Sequence, residues 1–382
     1  MTSTSSIRIY NTCRPDGEPI PCLHADTTGE NSLDLHFDQA IAFPGLINSH
    51  DHLDFNLFPQ LGDGPYENYR DWGKDIHQRY RNRIDPVLKI PRRLRTQWGI
   101  YKNLLNGVTT VVNHGKPLEA ENDLVRVLQP CSLHSLATEK HWKYILNRYY
   151  SQPPSFVIHI GEGTDRIAAR EVGSLLRWNL FRRQLIGIHG VAMQEEQAVA
   201  FRALVWCPDS NFFLLSRTAP IHLLKQHTAL LFGTDSTLSA SWNLWQQLRL
   251  ARSQGMTGDA ELLESLTTTP ARIWGLDRGT DPEGQNQADL VIAKPRTVSG
   301  TGWDRFYNLD PEDILLVLRN GQIQYVDESV YQQLTAANYP LQNFYKIQLQ
   351  EGIKYVKGNL PGLMQEIRRW HPAAEFPVTC PG

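Results

Sequence analysis

The period of apolar and polar positions changes twice along the chain, and these changes predict its architecture. Up to residue 40 the chain consists of short β-prone pieces separated by turn signals. From residue 41, continuous apolar runs alternate with segments of helical period, and beyond residue 275 short strands return. The runs that predict strands of the middle region are 41–47, 108–113, 156–160, 185–188, 204–206 and 229–232. Such runs, each followed by a helix, are typical of parallel strands that are buried on both faces.

The remaining segments complete the predicted order of elements. Helices are predicted at 97–105, 167–180, 194–200 and 242–253. Later strands are predicted at 288–292, 315–318 and 322–326, with a hairpin turn at 320–321. Residues beyond about 331 are predicted to form a helical tail that carries aromatic side chains.

Polar side chains that can bind metal ions follow several of the predicted strands. They are His50, His52, His159, His189 and Asp235. In (β/α)8 barrels active sites lie at the carboxyl ends of the strands, so these side chains are expected at one rim. His50 and His52 lie two residues apart and would point to the same side of a strand, although such a pair alone could equally be a surface or core feature. Together, the five side chains suit one divalent transition metal, zinc first, with iron or manganese as alternatives.

Glu162 follows His159 by three residues and is the candidate for proton transfer. A carboxyl group at this place could take a proton from an attacking water and deliver it to a leaving nitrogen. The alternative interpretation is a solvated loop glutamate or a partner for a helix N-terminus.

Composition narrows the class of protein without indicating a function. The 38 Lys and Arg residues nearly balance the 40 Asp and Glu residues, which argues against a nucleic-acid partner. No run of apolar residues is long enough to predict a membrane span, and the first residues lack the pattern of a secretory signal. The five scattered cysteines form no CxxC pair, which favours reduced thiols and a cytoplasmic location.

Eight short motifs then occur in a specific order along the chain. They are FPGLINSHDH (43–52), GVTTVV (107–112), HIGEG (159–163), IHGV (188–191), WCPDSN (206–211), GTDS (233–236), TPARIWGL (269–276) and ADLV (288–291). This ordered set resembles the amidohydrolase superfamily over about residues 36–326. It is most similar to the branch that contains cytosine, adenosine and guanine deaminases and the triazine hydrolases.

The resemblance implies an α/β fold with two parts. A distorted (β/α)8 barrel would span 41–275, and a small β-sandwich domain would combine 1–40 with 276–330, leaving 331–382 as the helical tail. The stretch from Asn113 to Phe156 is short for the barrel strands that it must contain, for which 125–128 and 131–136 are candidates. The long first loop, 55–90, is rich in aromatic and charged residues, and it would either cover the substrate or form a surface subdomain.

The resemblance also implies the composition of the metal site. His50, His52, His159 and Asp235 would hold one metal ion. Binuclear members of the superfamily need a lysine from the fourth strand. The only lysines near that position, Lys140 and Lys143, lie in a segment of helical pattern, so a single ion is predicted.

The same resemblance implies a reaction. His189 would hydrogen-bond the water or the tetrahedral intermediate, Glu162 would move protons, and Asp235 would help to deprotonate the water. The predicted function is metal-dependent hydrolysis of a C–N bond in a small molecule, with deamination of an aminated heterocycle as the favoured subtype. Opening of a ring or an amide, as in imidazolonepropionase-like enzymes, is the catalytic alternative, and a non-catalytic barrel that acts as a binding module is the other.

Four further residues are candidates for contacts with the substrate: Arg217, Asn211, Trp72 and His114. Arg217 could bind an anionic group or be a plain surface arginine. His114 follows the predicted second strand and could face the substrate or be a structural histidine. Asn211 could instead orient a neighbouring group. The resemblance also allows a homodimer.

Overall fold

The fold was analysed in a computed structural model that describes residues 6–26, 32–119, 122–149, 155–276, 289–296, 299–350 and 352–381. Its strands, in chain order, are β1 (Ser6–Cys13), β2 (Pro19–Asp26), β3 (Leu33–Pro44), β4 (Leu46–Asp51), β5 (Val108–Asn113), β6 (Arg126–Leu128), β7 (Ser132–Leu133), β8 (Phe156–Ile160), β9 (Leu185–His189), β10 (Phe201–Trp206), β11 (Ala229–Phe232), β12 (Leu290–Ala293), β13 (Ile314–Arg319), β14 (Gln322–Asp327), β15 (Phe344–Leu349), β16 (Gly352–Lys357) and β17 (Val378–Thr379).

The helices lie mainly between and after the central strands. In chain order they are α1 (Tyr69–Arg79), α2 (Arg81–Lys89), α3 (Arg92–Leu105), α4 (Trp142–Asn147), α5 (Arg166–Trp178), α6 (Glu195–Ala198), α7 (Pro208–Leu215), α8 (Ile221–Leu224), α9 (Leu244–Ser253), α10 (Asp259–Glu264), α11 (Thr268–Trp274), α12 (Gly302–Tyr307), α13 (Glu328–Ala336) and α14 (Leu360–Trp370). Within the described part of the chain, none of these helices is both long and apolar enough to cross a membrane.

The eight central strands, β4 to β11, pair in parallel and carry the predicted site. They form a three-stranded sheet, β4-β5-β6, and a five-stranded sheet, β7-β8-β9-β10-β11. Every residue of β4, β5, β8 and β9 is buried, as expected for parallel strands that are covered on both faces. The predicted α/β fold with parallel strands is therefore confirmed.

The first barrel strand begins later than the sequence pattern predicted. The run 41–47 was expected to be one strand ahead of the histidines. Instead, residues up to Pro44 belong to β3 of a different sheet, and β4 contains His50 within it. The break falls at Gly45, where a Cβ atom would lie 2.4 Å from Thr109 Oγ1, so that only glycine allows the two strands to approach at this corner.

The short stretch between β5 and β8 is compressed, as its length predicted. The two candidate strands are present, but β6 has three residues and β7 has two. They lie in separate sheets. Lys143 is part of α4 and Lys140 lies in the turn before it, so neither lysine is on a strand.

Strands from both ends of the chain combine in a single nine-stranded sheet. Its order is β17-β15-β16-β14-β13-β12-β3-β1-β2, and the antiparallel pairing of β3 with β12 joins the two ends. The hairpin between β13 and β14 turns at Asn320 and Gly321, which both have positive φ as a two-residue turn of this kind requires. Ala288, part of the last predicted strand and motif, lies outside the described residues.

The prediction of a helical tail at 331–382 was wrong for its middle part. Strands β15 and β16 form an antiparallel pair there, and α14 follows them. Alternate positions of this pair are buried, including Ile347, Leu349 and Val356, which is the period of a strand that covers a core with one face. The aromatic residues of the segment obscured this alternation.

Candidate active site

The metal-binding candidates meet at the carboxyl ends of the parallel strands. His50 lies in β4 and His52 follows it, His159 lies in β8, and His189 is the last residue of β9. Asp235 follows β11. His189 and Asp235 have φ of 70° and 53°, a left-handed conformation that costs energy for a residue with a side chain. Backbone strain is therefore concentrated where the chain leaves two strands and turns side chains towards the site.

Three imidazole nitrogens and one carboxylate oxygen converge on one point. His159 Nε2 lies 3.2 Å from His50 Nε2 and 3.3 Å from His52 Nε2. Asp235 Oδ1 lies 3.6 Å from His50 Nε2 and 3.7 Å from His52 Nε2. Ligand atoms bound to zinc at 2.0–2.1 Å in a tetrahedron are about 3.3 Å apart, so this donor set has both the chemistry and the spacing for such an ion.

Neighbouring groups fix the orientation of these donors. His159 Nδ1 donates to the carbonyl oxygen of His134 at 2.9 Å, which leaves Nε2 as the nitrogen with a free lone pair. The other oxygen of Asp235, Oδ2, accepts hydrogen bonds from Ser210 Oγ at 2.7 Å and Ser239 Oγ at 3.0 Å. The carboxylate therefore presents Oδ1 to the histidines.

His189 and Glu162 form a second pair beside the convergent donors. His189 Nδ1 donates to Asn211 Oδ1 at 2.8 Å, so that Nε2 can only accept a hydrogen bond when the ring is neutral. That Nε2 lies 3.6 Å from Glu162 Oε1. Asn211 thus acts on the site through His189 and does not line the cavity.

Burial sets the charge state of these groups. It lowers the pKa of His52 to about 3 and that of His189 to about 4, so that both imidazoles are neutral and can bind a metal. Burial raises the pKa of Glu162 well above its usual value, and the nearby Asp235 carboxylate adds to this effect. For Asp235, burial acts in the opposite direction, but the surrounding histidines, His50 above all, bring its pKa well below the usual range.

A cavity of about 490 Å³ opens above these groups. His52, His159, Glu162, His189 and Asp235 line its floor. Its walls combine aromatic, apolar and basic side chains, among them Phe55, Tyr69, Arg70, Trp72, Ile76, His77, Leu214 and Leu238. Many of these come from the long first loop and α1. Of the two interpretations of segment 55–90, the structure therefore favours the one that covers the substrate.

A scan against models of known protein families finds no match, and neither does a sequence comparison with curated proteins. Solved structures do match over most of the chain. An adenosine deaminase from Xanthomonas campestris with bound zinc has a TM-score of 0.61 at 15% identity, covering 97% of this chain and 98% of that one. A mutant of atrazine chlorohydrolase from Arthrobacter aurescens, complexed with zinc and atraton, has a TM-score of 0.59 at 16% identity, covering 87% and 99%.

Guanine deaminase from C. acetobutylicum, with guanine in its active site, has a TM-score of 0.59 at 13% identity, covering 84% of this chain and 98% of that one. A further neighbour is an amidohydrolase. The chain has the amidohydrolase fold. The resemblance drawn from its ordered motifs is thus confirmed at the level of the fold.

Two candidate substrate contacts lie elsewhere in this amidohydrolase fold. Arg217 is exposed and does not line the cavity, which corresponds to the alternative interpretation of a surface arginine. His114 is buried behind the site, with ring centroids 4.4 Å from His159 and 5.4 Å from His50. It does not line the cavity either, and neither of its ring nitrogens has a hydrogen-bond partner among the described residues. Trp72, in contrast, lines the cavity and donates to the carbonyl of Leu61 at 2.7 Å.

A second group of histidines, His114, His134 and His159, is also close enough to share an ion. It does not form an independent site. The Nδ1 of His159 carries the proton that it donates to the His134 carbonyl, and its Nε2 already faces the first donor set. The two groups therefore compete for one lone pair.

Sequence reasoning missed several residues that shape the site. Ser239 and Tyr69 lie in no strand and carry no spacing signal, yet one orients Asp235 and the other lines the cavity. Ser210 lies within the WCPDSN motif, so its position could have indicated a role. The others could only be found once the chain was folded.

Proposed function

We propose that this protein is a metal-dependent hydrolase of C–N bonds in small molecules, and that it releases ammonia from an aminated heterocycle. One observation carries the proposal. Three imidazole nitrogens and a carboxylate converge at the floor of a cavity in which a buried carboxylic acid, Glu162, faces the same space. Enzymes with this fold include the adenosine and guanine deaminases described above.

The residues that would hold the ion are His50, His52, His159 and Asp235. Neutral imidazoles with one carboxylate suit zinc first, with iron or manganese as alternatives. When bound, such an ion lowers the pKa of a water molecule towards neutrality.

The protein's own groups then provide for proton movement. Asp235, held ionised, can accept a proton from the attacking water. His189 Nε2 faces the cavity as an acceptor, since its other nitrogen donates to Asn211, and it can orient that water. Glu162 is kept protonated by burial and can donate to the nitrogen that leaves.

The walls of the cavity favour a flat, partly apolar substrate. Phe55 stacks on His52 with ring centroids 5.4 Å apart and planes 18° apart, and Tyr69 and Trp72 line the same space. Aromatic side chains around a few polar groups are typical of sites for heterocyclic ligands.

Ring or amide opening uses the same groups, with Glu162 protonating a ring nitrogen instead. The closure of the eight strands into a (β/α)8 barrel, the packing of the nine-stranded sheet as a sandwich, the domain boundaries, the homodimer and the cytoplasmic location stay predictions.

The test combines metal analysis with a substrate panel. We expect about one equivalent of zinc, iron or manganese in the purified protein and ammonia release from at least one aminated purine, pyrimidine or triazine. Ring-opened products without ammonia would replace deamination by the alternative reaction. A folded protein that binds no divalent ion would contradict the enzyme and favour a non-catalytic binding module.

A further inference from the structure

A buried ion pair lies directly behind the strand that carries the first two histidines. Lys102 Nζ, on α3, is 3.0 Å from Asp51 Oδ2, and the two residues are 1% and 0% exposed. Asp51 stands between His50 and His52. Because side chains alternate along a strand, its carboxylate points away from the imidazoles and towards α3.

The carboxylate of Asp51 accepts several further hydrogen bonds. They come from the side-chain amides of Asn103 at 2.7 Å, Asn56 at 2.8 Å and Asn48 at 3.3 Å. Together with Lys102, these donors compensate the charge of Asp51, as a fully buried carboxylate requires. This is a built polar network, with each donor at hydrogen-bond distance.

The same lysine also reaches the opposite end of the ligand set. Lys102 Nζ donates to Thr234 Oγ1 at 3.0 Å, and Thr234 immediately precedes Asp235. Asn48 strengthens this link, because its Nδ2 donates to Thr234 Oγ1 at 2.7 Å and its Oδ1 accepts from Thr234 N at 3.0 Å. Thr234 Oγ1 in turn donates to the carbonyl of Asp235 at 3.0 Å.

The position of this network matters because β4 and β11 belong to different sheets. The backbone contacts between their ends are the hydrogen bonds from Thr234 N and Asp235 N to His50 O, each 3.1 Å long. Metal binding requires the histidines of one strand and the aspartate after the other to keep a separation correct to a fraction of an ångström.

Stability alone does not account for the ion pair. Apolar residues of similar volume in place of a buried pair are often neutral or stabilising, because removal of two charges from water is costly. A buried lysine that contacts Asp51 and Thr234 at once has a geometric effect that an apolar side chain would lack.

We propose that Lys102 is a positioning residue for the metal site. By binding Asp51 and Thr234 together, it sets the distance between the His50–His52 pair and Asp235. The inference rests on the proposed function, since it takes these residues as the ligands of the ion.

The test compares two lysines that are equally buried. Lys102→Met removes the bridge, whereas Lys354→Met removes a lysine that is 2% exposed in the nine-stranded sheet. Zinc affinity is measured by competition with a chromogenic chelator, and the geometry of the site by the visible spectrum of the Co²⁺-loaded protein. We expect Lys102→Met to weaken zinc binding about 10- to 100-fold and to change the Co²⁺ spectrum. Lys354→Met should leave both at the wild-type value.

A second variant covers the case in which Lys102→Met does not fold. Loss of the lysine leaves Asp51 as an uncompensated buried charge, which is strongly destabilising. The double variant Asp51→Asn/Lys102→Met removes both charges and should fold, yet still bind zinc more weakly than the wild type. Wild-type zinc affinity and an unchanged Co²⁺ spectrum in a folded variant without Lys102 would overturn the proposal.

The outcomes separate this inference from the proposed function. A wild-type protein that binds no zinc, iron or manganese overturns both. A wild-type protein that binds one equivalent, together with a Lys102→Met variant that binds it equally well, overturns the positioning role alone.

Discussion

The two ends of this molecule bury lysines in different ways. Behind the metal site, Lys102 meets a carboxylate and a threonine hydroxyl at 3.0 Å each. In the nine-stranded sheet, Lys354 donates to the carbonyl oxygen of Ile314 at 2.7 Å, and the acidic residues that raise its pKa act only at longer range. Burial dominates, and the pKa of Lys354 falls to about 8.

The difference shows what each region requires. At the carboxyl ends of the parallel strands, buried polar groups are paired with one another and converge on the cavity, as a preorganised site requires. In the nine-stranded sheet the buried surface is mainly apolar, and one lysine lacks a direct countercharge. Substitutions at the site should therefore change chemistry or metal binding, whereas the lysine in the sheet should change stability.

The largest expected effect is the loss of activity in Glu162→Gln. The amide keeps the volume of the side chain but cannot deliver a proton, so turnover on the ammonia-releasing substrate should fall about 10²- to 10⁴-fold. Zinc content and melting temperature should stay at the wild-type values. Glu171→Gln is the matched control, because Glu171 is another largely buried carboxyl group with a raised pKa and does not line the cavity. Wild-type turnover in Glu162→Gln would contradict the proton-transfer role.

A smaller effect is expected for the pH dependence that Lys354 adds to stability. Between pH 8 and about 10.5 the unfolded chain holds this proton while the folded chain has released it, so a rise in pH favours the folded state. Relative to Lys354→Met, the free energy of unfolding of the wild type should rise by about 2–3 kcal/mol across this window.

The measurement is chemical denaturation of both proteins at several pH values. Their difference cancels the titration of the groups that they share. A difference that stays constant from pH 8 to 10.5 would show that this lysine titrates normally, and the contrast between the two lysines would then be lost.

The smallest effect is expected for Ser210→Ala. This change removes the 2.7 Å hydrogen bond to Asp235 Oδ2 and leaves the one from Ser239. Zinc affinity should fall about 10-fold, which corresponds to about 1.4 kcal/mol. Ser265→Ala, another buried serine whose hydroxyl donates to the Leu262 carbonyl, should leave zinc affinity unchanged. Equal zinc affinity in both variants would mean that Ser239 alone orients the carboxylate.

The predictability of the fold followed the strength of the local pattern. Strands β5, β8 and β11 were predicted to the residue, because a parallel strand buried on both faces is a continuous apolar run with clear ends. The start of β4 was misplaced, since Gly45 divides a run that is apolar on both sides and only its contact with Thr109 explains the break. Strands β15 and β16 were missed because aromatic residues obscured their alternation.

The candidate site divides in the same way. The histidines and Asp235 could be predicted because each stands at the end of a recognisable strand. Lys102 could not, since nothing near it in the sequence indicates that α3 brings its amine to Asp51. Arg217 was a reasonable candidate from its motif, but the turn after α7 leaves it on the surface.

The sequence by itself determined the parallel strands, the donor residues and the acid, because these depend on local period and on residue chemistry. Only the tertiary structure decided which lone pairs are free, which carboxylate oxygen faces the histidines and which lysine lies behind them. Those properties depend on contacts between segments far apart in the chain, such as Asn48 with Thr234 and Lys102 with Asp51. No local pattern encodes such contacts, since each arises only when β4, α3 and the end of β11 pack together.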